Sequence, residues 1–502
     1  MNRLYYGDCF TIMQEWPNAC VDLIYLDPPF NSNRQYNAIY RDETGRPLPD
    51  GIEAFCDMWE LDTEREQAIR AMPVLMRESG IADDVVEFWR LWMNALRGTQ
   101  PRLLAYLSYM AQRLLIMHRL LRPTGTLYLH CDPTAGHYIK ILLDAIFGHK
   151  NFIDEIVWNY GTPSGGRTGG KKPVKTHDTI LVYAKRYGYH VYNQQFTPYS
   201  EKYLAERFNQ EDEHGRIYRT RKREGGVVTR QYLDESPGVP LSNTWTDIKQ
   251  LYAYQWRLRQ QEEMGYATQK PRALLERIIA TSSNKGDVVL DPFCGCATTL
   301  EAAHKLGREW IGIDIAIHAV KRVARIRLTE RLGLVEGQDF VVEGVPRTWE
   351  GAADLWERDK YHFQKWAVEH ADGFVTTKRT ADGGVDGRIY YAVPHAQDLQ
   401  SMVVEVKGGK NVSIADVRAL KGVLDYDSAL MAGLIILHPL GAEKERNFKR
   451  FMAEAGTLDI LGIPYPRMQV LTVAELLDGH RFATPTVAGR HSLTPRLPGV
   501  PR

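Results

Sequence analysis

Cysteine is scarce in this chain. Its 502 residues hold six, Cys9, Cys20, Cys56, Cys131, Cys294 and Cys296, and the last 200 positions hold none. No spacing among them suits zinc, and so few thiols exclude a disulfide scaffold; the usage is that of a reducing compartment. No apolar run reaches spanning length, and "MAGLIIL" at 431–437 is the size of a core strand. No charged and apolar leader opens the chain. Nor is there an excess of charge of either sign. Lys and Arg number 63 against 62 Asp and Glu, a net charge of +1. Bulk electrostatics therefore mark no nucleic-acid partner, and any basic surface must be local. No internal repeat is present. These absences lead us to expect a soluble, cytoplasmic protein with no membrane partner.

What is present is an ordinary globular composition, 44% hydrophobic and 25% charged, in a chain long enough for two to four domains. Residues 1–189 alternate apolar strands with helical stretches, the pattern of an α/β sheet, with a helical insertion over 50–100. Residues 190–262 lose that pattern and carry charges of both signs. The alternation returns over 263–335, weakens over 336–358, which we expect to be a linker, and resumes over 359–482 as a small α/β unit. The tail 483–502, rich in Pro, Gly and Thr, is expected to be disordered.

Two stretches carry chemistry in the first unit. "VDLIYLDPPF" at 21–30 is a buried-strand run that stops abruptly. Two prolines cannot continue a central strand, so the run ends by presenting Asp27, Pro28, Pro29 and Phe30. "GDVVLDPFCGCATTLEAAHKLGREWIGIDI" at 286–315 reads strand, turn, helix, strand. Gly295 permits the tight turn, and Asp314 closes the next strand 23 residues after Asp291. An acid at that offset holds ribose hydroxyls in Rossmann-like sites. The full glycine fingerprint is absent, so a small nucleoside fits better than a nicotinamide dinucleotide.

Taken together with "TQKP" at 268–271, these stretches resemble the beta group of DNA amino-methyltransferases, including the modification subunits of type III restriction systems. The resemblance covers about 1–335. "YYGD" with Asp8 looks like the strand that contacts the cofactor adenine, and "GTLYLHCD", "NFIDEIVWNY" and "HDTILVYAK" look like the sheet strands after the catalytic motif "DPPF". "TQKP", "DPFCG" and "WIGIDI" look like the S-adenosylmethionine half. The implied fold is a circularly permuted, Rossmann-like class I methyltransferase sheet, with 1–189 as catalytic half, 190–262 as target-recognition region and 263–335 as cofactor half. The implied cofactor residues are Asp8, Thr268, Lys270, Asp291, Phe293, Gly295 and Asp314. The implied partner is double-stranded DNA; a restriction subunit and a homodimer stay open.

The resemblance explains the diproline strand end. An exocyclic base amine is a poor nucleophile because its lone pair is delocalised into the ring. A carboxylate (Asp27) and a main-chain carbonyl (Pro28) in fixed places accept its protons and aim the lone pair at a methyl group. Pro29 stiffens the turn, and Phe30 offers a stacking face to a flipped base. In this family Asp at the first motif position goes with adenine and Ser with cytosine, so N6-methyladenine is expected and cytosine N4 is the alternative. For DNA contact the candidates are the glycine-rich basic stretch 160–175 and "RIYRTRKREGGVVTR" at 216–230, with Tyr218, Arg219, Arg221, Lys222 and Arg223.

The last unit raises a second function. "ADGGVDGRIYY" at 381–391 precedes "SMVVEVKGGK" at 401–410, and Glu405 and Lys407, two apart on a strand, share a face. With Asp386 from the neighbouring strand, they resemble the Mrr-like branch of the PD-(D/E)XK restriction nucleases over about 359–440. That resemblance implies a divalent cation such as Mg2+ on Asp386 and Glu405. Three functions compete: a methyltransferase whose last domain binds DNA or a partner, a single-chain restriction-modification enzyme, and a non-catalytic DNA-binding protein. The intact "DPPF" argues against the third.

Overall fold

The computed structural model describes residues 1–28, 35–37, 53–56, 59–161, 174–222, 225–251, 262, 269–316, 319–320, 324–376, 385–391, 393 and 400–485. Pro29, Phe30, Arg223, Thr268, most of the glycine-rich stretch 160–175 and most of the tail lie outside the described residues.

The chain opens with β1 (Asn2–Tyr6) and β2 (Val21–Leu26) and continues through β3 (Leu121–Cys131), β4 (Phe152–Asn159) and β5 (His177–Ala184). A polar central region holds the hairpin β6 (Ile217–Lys222) and β7 (Val228–Tyr232). Then come β8 (Thr244–Trp245), β9 (Val288–Asp291), β10 (Glu309–Asp314) and β11 (Phe340–Glu343). All but the hairpin form one 9-stranded sheet, in the order β8-β4-β5-β3-β2-β9-β10-β1-β11. Only β5 runs against its neighbours; the other pairings are parallel. The strand at the start of the chain thus lies between β10 and β11, beside elements more than 300 positions away.

All six residues of β2 are buried, as expected for a strand held between parallel neighbours β3 and β9 under helices. At its amino end the buried Asp22 ties three strands together. It takes the guanidinium of Arg122 at 2.8 Å and the N–H of Val288 at 2.9 Å. Helices α1 (Cys9–Gln14), α2 (Thr63–Glu78), α3 (Asp83–Thr99), α4 (Pro101–Leu120) and α5 (Gly136–Phe147) precede β4, and α2 and α3 occupy the expected helical insertion. Pro101 opens α4, where its missing N–H costs nothing. Leu103, Leu104, Leu107, Met110, Ala111 and Leu114 then line one broad face, in the same core as Ile24 of β2 and Leu127 of β3. Helix α6 (Arg272–Ser282) precedes β9, and α7 (Thr298–Lys305) connects β9 to β10.

Residues 336–358, expected as a linker, are instead built in. They carry β11, the last strand of the large sheet, and α8 (Trp349–Arg358). The strand is short, and its partner is at the other end of the chain, so periodicity alone does not reveal it. The polar region 190–262 also returns to the large sheet, where Thr244 and Trp245 pair with Val157 and Trp158.

The carboxyl-terminal unit starts with α9 (Lys360–His370). Its five strands β12 (Phe374–Val375), β13 (Gly387–Tyr391), β14 (Gln400–Lys407), β15 (Met431–Ile436) and β16 (Met468–Thr472) lie in chain order across a second sheet. The pairings are antiparallel up to β14 and parallel from there, with α10 (Ile414–Tyr426) as the crossover between β14 and β15. Phe363 and Trp366 of α9 belong to the same apolar core as Leu4, Trp310 and Phe340, so the two units share one continuous interior. No helix among the described residues is long and apolar enough to cross a membrane.

Candidate active site

Four neighbouring parallel strands, β2, β9, β10 and β1, each deliver an acid at or just past the carboxyl end: Asp27, Asp291, Asp314 and Asp8. This is the edge where open α/β sheets bind ligands. A polar side chain there meets the N–H and hydroxyl groups of the turns beyond the strand, as Asp291 and Asp314 do.

Asp291 is 3% exposed. It accepts the Thr299 hydroxyl at 2.5 Å and the Phe293 N–H at 3.1 Å. Burial, with Asp27 and Asp314 nearby, pushes its carboxyl up to about 7 in spite of those bonds. Asp314 accepts N–H groups from Gly295 and Ala316, each at 2.8 Å, and burial pushes it up to about 6. Gly295 and Ala297 both sit in the left-handed region, at φ 48° and 60°. The expected tight turn is therefore present, and its Gly295 N–H faces the acid of the next strand. Phe293 is partly buried against the core under α4. Asp8 caps α1 through the Phe10 N–H and takes the Arg113 guanidinium with both oxygens at 2.6 Å. Burial pushes Asp8 up, but Arg113 outweighs it and holds the carboxyl below the usual range. Arg113 lies 3.3 Å over the Tyr109 ring.

Asp27 is paired with the ammonium of Lys270 through Oδ2, and its Oδ1 is buried with no hydrogen-bond partner among the described residues. Lys270 was expected among the cofactor residues; here it reaches the diproline motif. Behind this pair runs a polar chain. The Tyr25 hydroxyl meets His130 Nδ1 at 3.2 Å, His130 Nε2 meets Asp178 at 3.2 Å, and Lys175 meets the other Asp178 oxygen at 2.5 Å. Burial pushes Asp178 up, but His130, Lys270 and Lys175 draw it well below the usual carboxylate range. On α7, the buried Glu301 gathers Arg272, Lys305 and Arg327 at 3.0, 2.7 and 2.5 Å, fastening α6 to α7.

Sequence reasoning did not single out Arg113, His130, Asp178 or Glu301, and it offered Lys175 to DNA phosphates as part of the basic stretch 160–175, whereas here Lys175 pairs with Asp178. The signal for His130 and Asp178 was a polar residue at the end of an apolar strand in "TLYLHCD" and "HDTILVYA". Because β5 is antiparallel, its amino end reaches the same edge of the sheet.

In the hairpin, Arg219 does not face outward as expected. It is 9% exposed, lies 5.0 Å from the Phe208 ring and donates to Gln231 at 3.0 and 2.8 Å. An aromatic pocket offers its planar cation more than water does. Arg221 and Lys222 are exposed.

In the second unit the three expected residues do converge. Asp386 accepts the Val406 N–H at 2.7 Å, and Lys407 holds Glu405 at 2.7 Å and faces Asp416 of α10 at 3.6 Å. Burial pushes Asp386 up to about 6 and raises Glu405 too, with Asp386 adding to the latter. Glu405 is 4% exposed, and its Oε2 has no partner among the described residues.

The known proteins to which this chain is similar are DNA methyltransferases. The Type II methyltransferase M.EcaI of Enterobacter cloacae is 30% identical over 260 residues, 44% of this chain and 57% of the relative. M.BamHI of Bacillus amyloliquefaciens is 25% identical over 315 residues, 63% of this chain and 55% of the relative. The chain thus spans little more than half the length of either. Among solved structures, the cytosine-N4-specific PvuII DNA methyltransferase aligns with 64% of this chain and 86% of its own, at 15% identity and a TM-score of 0.35. The N6/N4 family model, described as DNA methylase, matches residues 21–325, more than half of the chain. The chain, with its four strand-end acids inside or beside that span, belongs to the N6/N4 DNA methylase family.

Proposed function

We propose that the chain transfers a methyl group from S-adenosylmethionine to an exocyclic amine in double-stranded DNA. The reading rests on one observation. At the carboxyl end of β2, Asp27 holds a buried oxygen with no donor among the described residues, beside two buried strand-end acids, Asp291 and Asp314, whose carboxyls are pushed up. Asp291 and Asp314, buried acids with no ion pair among the described residues, fit a cationic nucleoside, and S-adenosylmethionine, when bound, supplies the methyl group. Asp314 would hold the ribose, Asp291 and the Phe293–Gly295 loop the remaining cofactor edge, and Asp8 the adenine. Asp27 Oδ1 and the Pro28 carbonyl accept the amine N–H groups, which concentrates the nitrogen lone pair toward the methyl carbon. Asp as the first residue of the motif favours adenine N6, with cytosine N4 as the alternative. In this reading the chain acts in a restriction-modification system, as the names of its relatives suggest, and the amino-terminal β1 beside β10 is a circular permutation of the Rossmann-like order. Residues 190–262 are its target-recognition region. The test is direct. Purified chain, unmethylated DNA and labelled cofactor should yield N6-methyladenine by nucleoside mass spectrometry. Asp27→Ala should yield none while still binding cofactor. No methylated base in DNA would overturn the proposal.

A second reading is favoured by the convergence of Asp386, Glu405 and Lys407. We infer a nuclease-like site there, in which Asp386 and Glu405 would hold Mg2+. Two carboxylates are a common protein share of a magnesium site, and the orphaned Glu405 Oε2 fits that use. The cation would supply charge stabilisation for phosphodiester hydrolysis, and Lys407 would stabilise charge on the phosphate. Metal-dependent cleavage of unmethylated DNA that is lost in Lys407→Ala supports a bifunctional enzyme. Its absence leaves a binding module.

A further inference from the structure

Lys270 stands immediately before Pro271, the cap residue of α6, and its ammonium pairs with Oδ2 of Asp27, 243 positions away in the chain. Both side chains are largely buried, 14% and 16% exposed. The ammonium also acts on Asp178, so it stands between acids from β2 and β5. Asp178 is itself held by Lys175 and His130, and His130 by Tyr25, which lies two residues before Asp27 on β2. Asp27 and the anchored Asp178 are thus the two acids between which the ammonium lies. Pro271 in turn restricts the backbone conformation of Lys270, from which the side chain springs.

The consequence falls on the two oxygens of Asp27. A carboxylate turns readily about its last torsion, and a solvated one presents either oxygen. Here Oδ2 is bound and Oδ1 is buried without a donor among the described residues. Leaving a buried acceptor unpaired carries a desolvation cost, which is removed once a donor arrives.

We propose that Lys270 is a positioning residue for methyl transfer: it clamps Oδ2 of Asp27 and so presents Oδ1 to the incoming exocyclic amine. This rests on the reading of Asp27 as the acceptor of the amine N–H. It assigns Lys270 to the acid rather than to the cofactor.

The test compares Lys270→Met, Lys270→Arg and Asp27→Ala in the full chain. Single-turnover methyl transfer, cofactor affinity and DNA affinity are measured for each, with S-adenosylmethionine and unmethylated DNA as probes. Lys270→Met should slow transfer by roughly 100-fold, the scale of one lost positioning contact, with both affinities nearly unchanged. Lys270→Arg, which keeps a charged donor, should recover most of the rate. If Lys270→Met does not fold, Lys270→Gln takes its place in the same measurements. A transfer rate equal to the natural chain's, or a loss confined to cofactor affinity, overturns the inference. A natural chain that methylates nothing, or an Asp27→Ala variant at full rate, overturns instead the reading on which it rests.

Discussion

The His362 ring stands edge-on against Tyr6, with centroids 4.4 Å apart and planes at 78°. Tyr6 closes β1 two residues before Asp8, whereas His362 lies on α9 of the carboxyl-terminal unit. Burial pushes His362 down to about 4, so at neutral pH it packs as an uncharged aromatic ring. The appended unit is therefore seated beside the strand that carries one of the four site acids.

Phe363, the next residue, is fully buried in the core shared by both sheets. Phe363→Ala should cost about 3–5 kcal/mol. Because the core is continuous, the loss should lower the midpoint of one cooperative transition. Urea unfolding followed by near-ultraviolet dichroism checks this; a large-sheet transition left in place would mean that the two units are energetically separate.

Cofactor binding should depend on pH through Asp291 and Asp314, at about 7 and about 6. A cation is held by ionised acids. Affinity should be full above pH 7 and fall as pH drops through 7 and then 6, by up to about tenfold per pH unit for each proton displaced. Titration calorimetry across that range reads the slope. Asp314→Asn should flatten its lower part and weaken binding at every pH, and an affinity that rises toward acid would contradict the assignment.

In the second unit, Asp386 is raised from 3.8 to about 6. A raised folded value means that the group contributes stability below pH 4 and loses it as pH rises through 6. The loss is at most about 3 kcal/mol. Lys407 offsets part of it, and Glu405 is raised alongside. Asp386→Asn keeps an acceptor for the Val406 N–H and should be more stable than the natural chain at pH 8 but equal to it at pH 4. Under the nuclease-like reading, Mg2+ should stabilise the natural chain at pH 8 and not the variant.

The outward cations of the β6–β7 hairpin, Arg221 and Lys222, should contact DNA phosphates. Replacing both by Ala should weaken binding about equally on all sequences and reduce the slope of log K against log salt by about 2. Arg219→Ala should instead lower thermal stability, since its guanidinium is bonded inside to Gln231. A salt slope unchanged in the double variant would place the DNA elsewhere.

The sequence by itself determined where the chemistry is presented. An apolar run must be buried, and "DPPF", "DPFCG" and "WIGIDI" each end such a run with an acid, so Asp27, Asp291 and Asp314 had to emerge at one edge of a sheet. The two-residue spacing of Glu405 and Lys407 likewise put them on one face, because strand side chains alternate. Only the tertiary structure decided which partner each acid has. Lys270 on Asp27, Arg113 on Asp8, His130 between Tyr25 and Asp178, and His362 on Tyr6 join residues 105 or more positions apart, or 48 in the case of His130 and Asp178. Periodicity reports the burial of a local segment; it carries no record of which segments pack together. The same limit hid β11 in the apparent linker and turned Arg219 inward. A strand of four residues and a cation over an aromatic ring are stabilised by neighbours that only the folded chain supplies.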